Sequence, residues 1–159
     1  MTSHPKLARI ARAVIDANKY VTLATADEAG RPWASPVYYT PDGYEVFYWA
    51  SSPDARHSRN LAQRPELSMV IFDSQAQIGR AEAVYMAARA ELVPDDELER
   101  CAELYGSRFP ELRAYQADEL RAPALLRLYR ATVTEHSVFV RGGDPEFGRG
   151  VDTRLAVSL

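Results

Sequence analysis

A single cysteine, Cys101, excludes a disulfide framework and any cysteine-built metal site within one chain. It lies among acids, with Glu99 and Glu103 two residues to either side, and no activated nucleophile is expected there. Histidine is nearly as scarce. His4, His57 and His136 are the only three, and none stands at metal-site spacing from another. There is no basic excess either: the net charge is −3, so the field that backbone contacts to nucleic acid require is missing. No apolar run approaches the roughly 18 residues needed to span a bilayer. Residues 1–5 do not follow the basic-then-apolar plan of a signal peptide, and the expected location is the cytoplasm. Gly-x-Gly-x-x-Gly and P-loop patterns are absent, so a nucleotide phosphate would have to be held by side chains and a helix start.

What is present is the composition of one globular domain over residues 1–159, 47% hydrophobic and 26% charged. Residues 5–18 put Leu7, Ile10, Ala11, Val14 and Ile15 on one stripe, which predicts an amphipathic packing helix. Residues 20–25 and 33–40 read as strands joined by a turn at 27–32. Pro36 in the second demands an edge or a bulge, because proline cannot donate to a ladder. Pro41-Asp42-Gly43 turns the chain into a third strand at 44–50, completing an expected meander. Further strands are expected at 67–72, 83–92, 126–133 and 137–140, with a break around Glu135 and His136. Residues 94–105 and, more weakly, 110–116 suggest late helices, and 153–159 a last strand or tail. Six or seven strands without strict alternation with helices indicate a mainly β closed or split barrel with peripheral helices.

The densest chemistry is Trp49-Ala-Ser-Ser-Pro-Asp-Ala-Arg-His-Ser-Arg-Asn60. Ser52 suits an N-cap and Pro53 the first helical position, with the helix expected to end near Arg64-Pro65. The Ser51 and Ser52 hydroxyls, the first-turn N–H groups and the Arg56 guanidinium would then converge on one phosphate. At helical spacing Arg56, Arg59 and Asn60 share one face, while Ala55, Ser58 and Ala62 lie nearer another. A capped surface helix with solvated arginines would carry the same residues.

The order Val-Thr-Leu-Ala-Thr, Gly-Arg-Pro, Ser-Pro-Val-Tyr-Tyr, Val-Phe-Tyr-Trp-Ala-Ser-Ser, Ala-Arg-His-Ser-Arg-Asn-Leu and Ala-Val-Tyr-Met-Ala-Ala-Arg-Ala-Glu-Leu resembles the pyridoxamine 5′-phosphate oxidase-like FMN-binding split-barrel family. The resemblance covers residues 5–93 best. It implies a homodimer with two FMN sites at the subunit interface and a small-molecule substrate. Carried over by position, Trp33, Ser35, Pro36, Val37 and Tyr38 fall on the strand along the flavin ring. Tyr48, Trp49, Ser51 and Ser52 fall near the ribityl chain and phosphate. Arg56 and His57, followed by Ser58, stand where the family commonly has the phosphate-gripping Arg-Lys pair. Histidine there is a departure, since a neutral imidazole offers one donor in place of a full cation. Ala83 departs too, at a place near Glu82 where the family often supplies a polar contact from the other subunit. The arginine-rich C-terminal segment of true pyridoxamine phosphate oxidases has no match in residues 151–159, so vitamin B6 chemistry is not expected.

The first functional expectation is therefore an FMN-dependent oxidoreductase whose flavin carries the hydride, with no protein acid or base advertised by the sequence. A deazaflavin-dependent reductase is the alternative, with Arg59 and Arg64 as cations for a longer cofactor tail. A non-catalytic flavin or haem binder is the third, with His57 or His136 as iron ligand apart from His4. Against all three, aromatic residues such as Trp33 and Tyr38 also suit a core.

Overall fold

A computed structural model describes residues 4–159; Met1 to Ser3, part of the stretch read against a signal peptide, lie outside them. The chain runs α1 (Pro5–Ala17), β1 (Tyr20–Ala26), β2 (Pro32–Tyr38), β3 (Thr40–Asp42), β4 (Val46–Ser51) and α2 (Arg56–Gln63). It continues through β5 (Glu66–Phe72), β6 (Ala83–Leu92), α3 (Leu98–Gly106), β7 (Arg127–Val140) and β8 (Thr153–Val157). The strands form one antiparallel sheet in the order β2-β1-β5-β6-β7-β4-β3, with β8 added beside β7. It curls into a split barrel. No described helix is long and apolar enough to cross a membrane.

Alternation fixes which side of each strand enters the barrel. Val21 and Leu23 of β1, Phe47 and Trp49 of β4, Met69 and Ile71 of β5 and Ala131 of β7 meet the apolar stripe of α1 in the main core. β4 is buried on its other side as well. Tyr48 packs outward against Leu98, Cys101, Ala102 and Tyr105 of α3, which forms a second apolar cluster. The chain therefore needs no polar face on this strand.

Pro36 lies in β2, which pairs only with β1 and is an edge strand. The turn before it is closed by the Asp27 carboxylate, which accepts from the Arg31 backbone N–H and Nε, each at 2.9 Å, with Gly30 at φ +80°.

Four expectations are corrected. The first three strands are no meander, because β4 leaves β2 and pairs with β7 while β3 pairs with β4. The break near Glu135 is a bulge at Thr134 inside one long strand: Ala87 faces Glu135 while Ala88 faces Val133. Residues 110–116 form no helix, and the only regular turn nearby is a 3-10 turn at Ala117–Leu120. The helix expected at 94–105 begins as a 3-10 turn at Asp95–Glu97 before α3 proper.

The segment after α3 is held by Arg108. Its guanidinium donates to the carbonyls of Tyr39 (2.7 Å), Ile15 (2.9 Å), Asp16 (3.3 Å) and Asn18 (2.8 Å), and stacks over the Tyr39 ring. One side chain thus closes the C-terminal end of α1, whose carbonyls have no partner within the helix. Arg108→Met should cost about 3 kcal/mol, since several carbonyls lose a charged donor at once. Urea unfolding would register this as a lower midpoint with unchanged slope; a midpoint equal to the parent's would refute the clamp.

Candidate functional site

β2 and β4 face each other at the seam of the barrel without sharing a ladder. Ser35 on β2 and Ser51 at the end of β4 are linked there by one side chain from α2. The Ser35 hydroxyl lies 3.0 Å from His57 Nδ1, and His57 Nε2 lies 2.9 Å from the Ser51 hydroxyl. Burial pushes His57 below the ordinary histidine range. A neutral ring donates through one nitrogen and accepts through the other, so this three-member chain is fully satisfied.

Arg56 stands beside it. Its guanidinium lies 4.3 Å from the centre of the Trp33 ring and, among the described residues, makes no hydrogen bond or ion pair. The stacking holds the cation while leaving its N–H edge unspent. Trp33 itself is 40% exposed, enough for a ligand to share its surface.

α2 is fixed to the first hairpin by buried polar contacts. Asn60 Nδ2 donates to Thr25 Oγ1 (3.0 Å), and Thr25 Oγ1 donates to the Trp33 carbonyl (3.4 Å). Arg64 reaches the Glu28 carbonyl at 2.7 Å. Asn60 therefore belongs to the buried face with Ser58 and Leu61, and does not share the exposed face of Arg56 and Arg59.

The helix also starts later than expected. Ser52 does not cap it: its hydroxyl accepts from the Asp54 N–H at 3.1 Å, closing a turn that delays the helix to Arg56, with Ala55 in the cap position. Alanine cannot cap, so the first N–H groups of α2 have no side-chain partner.

The structure brings together Trp33, Ser35, Ser51, Arg56 and His57, with Ser52 in the adjoining turn. It does not bring the others in. Trp49 is a core residue with no exposed surface, its ring stacked 5.7 Å from Tyr129. Val37 is also buried in the core. Pro36 is exposed, and with Tyr38 it alternates to the opposite face of β2 from Ser35. Tyr38 packs edge-on against Tyr105 and Phe109. Ser58 is buried, its hydroxyl without a hydrogen-bond partner. Arg59 and Arg64, the cations reserved for a longer tail, each give one donor to a carbonyl, of Asp54 and of Glu28.

One residue was missed. Arg127 pairs across the ladder with Ser51, on the same face, so a further cation stands at the seam. It is held by the carbonyls of Ala124 and Leu126. Its signal was a charge at an inward-facing position in Leu126-Arg-Leu-Tyr-Arg130, legible only once the strand's face is known.

A cavity of about 590 Å³ lies elsewhere, between α3 and the segment after it, and is lined by Glu99, Glu103 and Asp118 among others. A groove of about 540 Å³ runs along the outer flank of α2 past Pro53 and Arg59. The donors at the seam, not cavity size, mark the chemistry: hydroxyls, an imidazole and an unpaired guanidinium fit an anionic group.

The family model for pyridoxamine 5′-phosphate oxidase matches residues 8–137. The chain belongs to this family. It is 32% identical over 136 residues to the haem oxygenase HutZ of Vibrio cholerae serotype O1, covering 78% of this chain and 70% of that protein. The crystal structure of HutZ, described there as a haem storage protein, superposes with a TM-score of 0.64 at 26% identity, over 94% of this chain and 99% of that one. A haem-binding protein from Mycobacterium smegmatis gives 0.71 at 24% identity, over 98% of this chain but 60% of its own length. An FAD-binding protein from Mesorhizobium loti gives 0.61 at 24% identity, over 82% and 90%. Flavin and haem binders thus share this fold.

Proposed function

We propose that the chain is a cytoplasmic FMN-binding oxidoreductase, working as a homodimer, that passes a hydride or electrons between the flavin and a small substrate. The observation that carries this reading is the Arg56 guanidinium, stacked on Trp33 with its donors unspent, beside the Ser35, His57, Ser51 chain. Arg56, the two serines, Ser52 and the uncapped first turn of α2 would hold the phosphate, and Trp33 would border the ring system. FMN, when bound, supplies the redox chemistry, while the protein contributes binding, orientation and electrostatics. Vitamin B6 oxidation is not part of this reading, since residues 151–159, with Arg154 as their one arginine, do not match an arginine-rich segment. A deazaflavin is the alternative cofactor, its longer tail calling on Arg59 and Arg64, each of which gives one donor to a backbone carbonyl.

The relation to HutZ favours a second reading, a haem binder. His57 and His136 argue against it. Both nitrogens of His57 are hydrogen bonded, and His136 is buried with Nε2 held 2.7 Å from the Tyr44 carbonyl. An iron ligand needs a ring nitrogen with an open approach.

The homodimer is supported by the outer face of the sheet. Ala34, Ala24, Ser68 and Ala87 form a row of small residues across four strands, and Pro36, Thr22, Val70 and Tyr85 a second row beside it. Tyr20 at 61% and Phe72 at 47% exposure extend this apolar surface. Such a face allows another sheet to approach closely.

Two measurements test these readings. Titration with FMN, followed by quenching of flavin fluorescence, should give saturable binding that Arg56→Ala weakens at least about tenfold, the worth of one charge-assisted contact. Equal affinity in the variant would remove Arg56 from the site. Sedimentation should give a dimer for the parent and a monomer for Ala24→Arg, which puts a charge in the row of small residues. A parent that sediments as a monomer would refute the assembly.

A further inference from the structure

We propose, resting on the flavin reading above, that His57 couples phosphate binding at the seam to the uptake of one proton. The two serines sit on opposite lips of the seam, Ser35 on β2 and Ser51 on β4, and a single imidazole is bonded to both. In the neutral ring one nitrogen carries no hydrogen, so one serine must donate to it. Only the other hydroxyl is then free to donate outward. With both nitrogens protonated, both ring N–H groups donate to the serine oxygens, and both serine hydrogens are released. A phosphate dianion offers acceptors only, so it can draw on both hydroxyls only when His57 carries the extra proton. Nothing larger than two hydroxyl rotations is required. The imidazolium also supplies a charge at the position where the related family commonly has lysine.

The surroundings keep the free protein on the neutral side. Burial disfavours the charged ring, and the neighbouring elements carry the cations Arg56 and Arg59 on the same helix and Arg127 opposite Ser51. The acids beside α2 are Asp54, exposed in the turn before it, and Asp27 and Glu28 of the first hairpin, of which Asp27 is paired with Arg31. β1, β2 and β4 carry only the tyrosines Tyr20, Tyr38 and Tyr48 as titratable groups. β6 adds Tyr85, Arg89 and Glu91, of which Arg89 is paired with Glu66 and Glu91 with Arg130. An arriving dianion reverses this balance and raises the histidine pKa. Protons are therefore taken up at pH values between the histidine pKa of the free protein and that of the complex, and binding weakens as pH rises through that window.

The test is calorimetric titration of the full chain with FMN, in buffers of different ionisation enthalpy, between about pH 7 and 8.5. A phosphate monoester is already dianionic there, its second pKa being about 6. Uptake should approach about one proton per FMN, with affinity falling up to about tenfold per pH unit. Riboflavin, which lacks the phosphate, should bind without uptake. His57→Lys stays charged throughout and should bind FMN without uptake. In the unmodified protein, nitrogen NMR of the labelled His57 ring should change from the neutral to the doubly protonated pattern on adding FMN, a readout independent of any variant. FMN binding with no uptake and a ring that stays neutral would overturn the coupling alone. Uptake that persists with riboflavin or in His57→Lys would also overturn it. No FMN binding at any pH would overturn the flavin reading and the coupling together.

Discussion

β2 lies at one end of the hydrogen-bonded strand order and β4 next to the other, inside β3, and where β2 and β4 meet no backbone ladder joins them. Elsewhere in the barrel, adjacent strands satisfy each other's N–H and C=O groups, but at this seam the join depends on side chains. α2 provides it. The helix is pinned to the first hairpin through Asn60, Thr25 and Arg64, and it places one imidazole between a serine of each lip. The fold is open at the same place where its polar donors gather, so the groups that close the seam are also those an anionic ligand would address. The cost of burying polar atoms there is offset by complete hydrogen bonding of the His57 chain. Arg56, stacked on Trp33, makes no hydrogen bond among the described residues.

This arrangement separates structural from ligand-facing residues more sharply than residue type does. Trp33 and Trp49 are both aromatic residues at strand positions beside the site, yet one is stacked under a guanidinium at the surface and the other fills the core against Tyr129. Alternation within β2 divides Ser35 from Pro36 and Tyr38 in the same way.

Much of this was legible in the sequence because it is local. The strand at residues 83–92 was read with its observed bounds from alternation, and Pro36 marked an edge because proline removes a donor. The grouping of Ser51, Arg56 and His57 followed from their closeness in the chain, and the family from the ordered motifs. What failed was mostly non-local, or locally ambiguous. Ser52-Pro53-Asp54 satisfies the rules for a helix cap and for a serine turn equally, and Ser52 chose the nearer N–H. The partner of β4 is β7, far along the chain, with Ser51 opposite Arg127 and Ala50 opposite Leu128, and no short-range pattern reveals that register. Arg127 was missed for that reason, and so was the clamp by Arg108, whose targets lie in α1 and before β3.

An FAD-binding protein and haem-binding proteins share this fold, so the polar chemistry at the seam must decide between the two kinds of ligand. A hydroxyl and guanidinium cluster with both nitrogens of its histidine occupied matches an acceptor-rich phosphate better than an iron centre. The most direct measurement is the visible absorption spectrum of the protein as purified from cells. The account expects the two broad visible bands of an oxidised flavin, released as FMN on denaturation. A single intense haem band, with no flavin released, would contradict it.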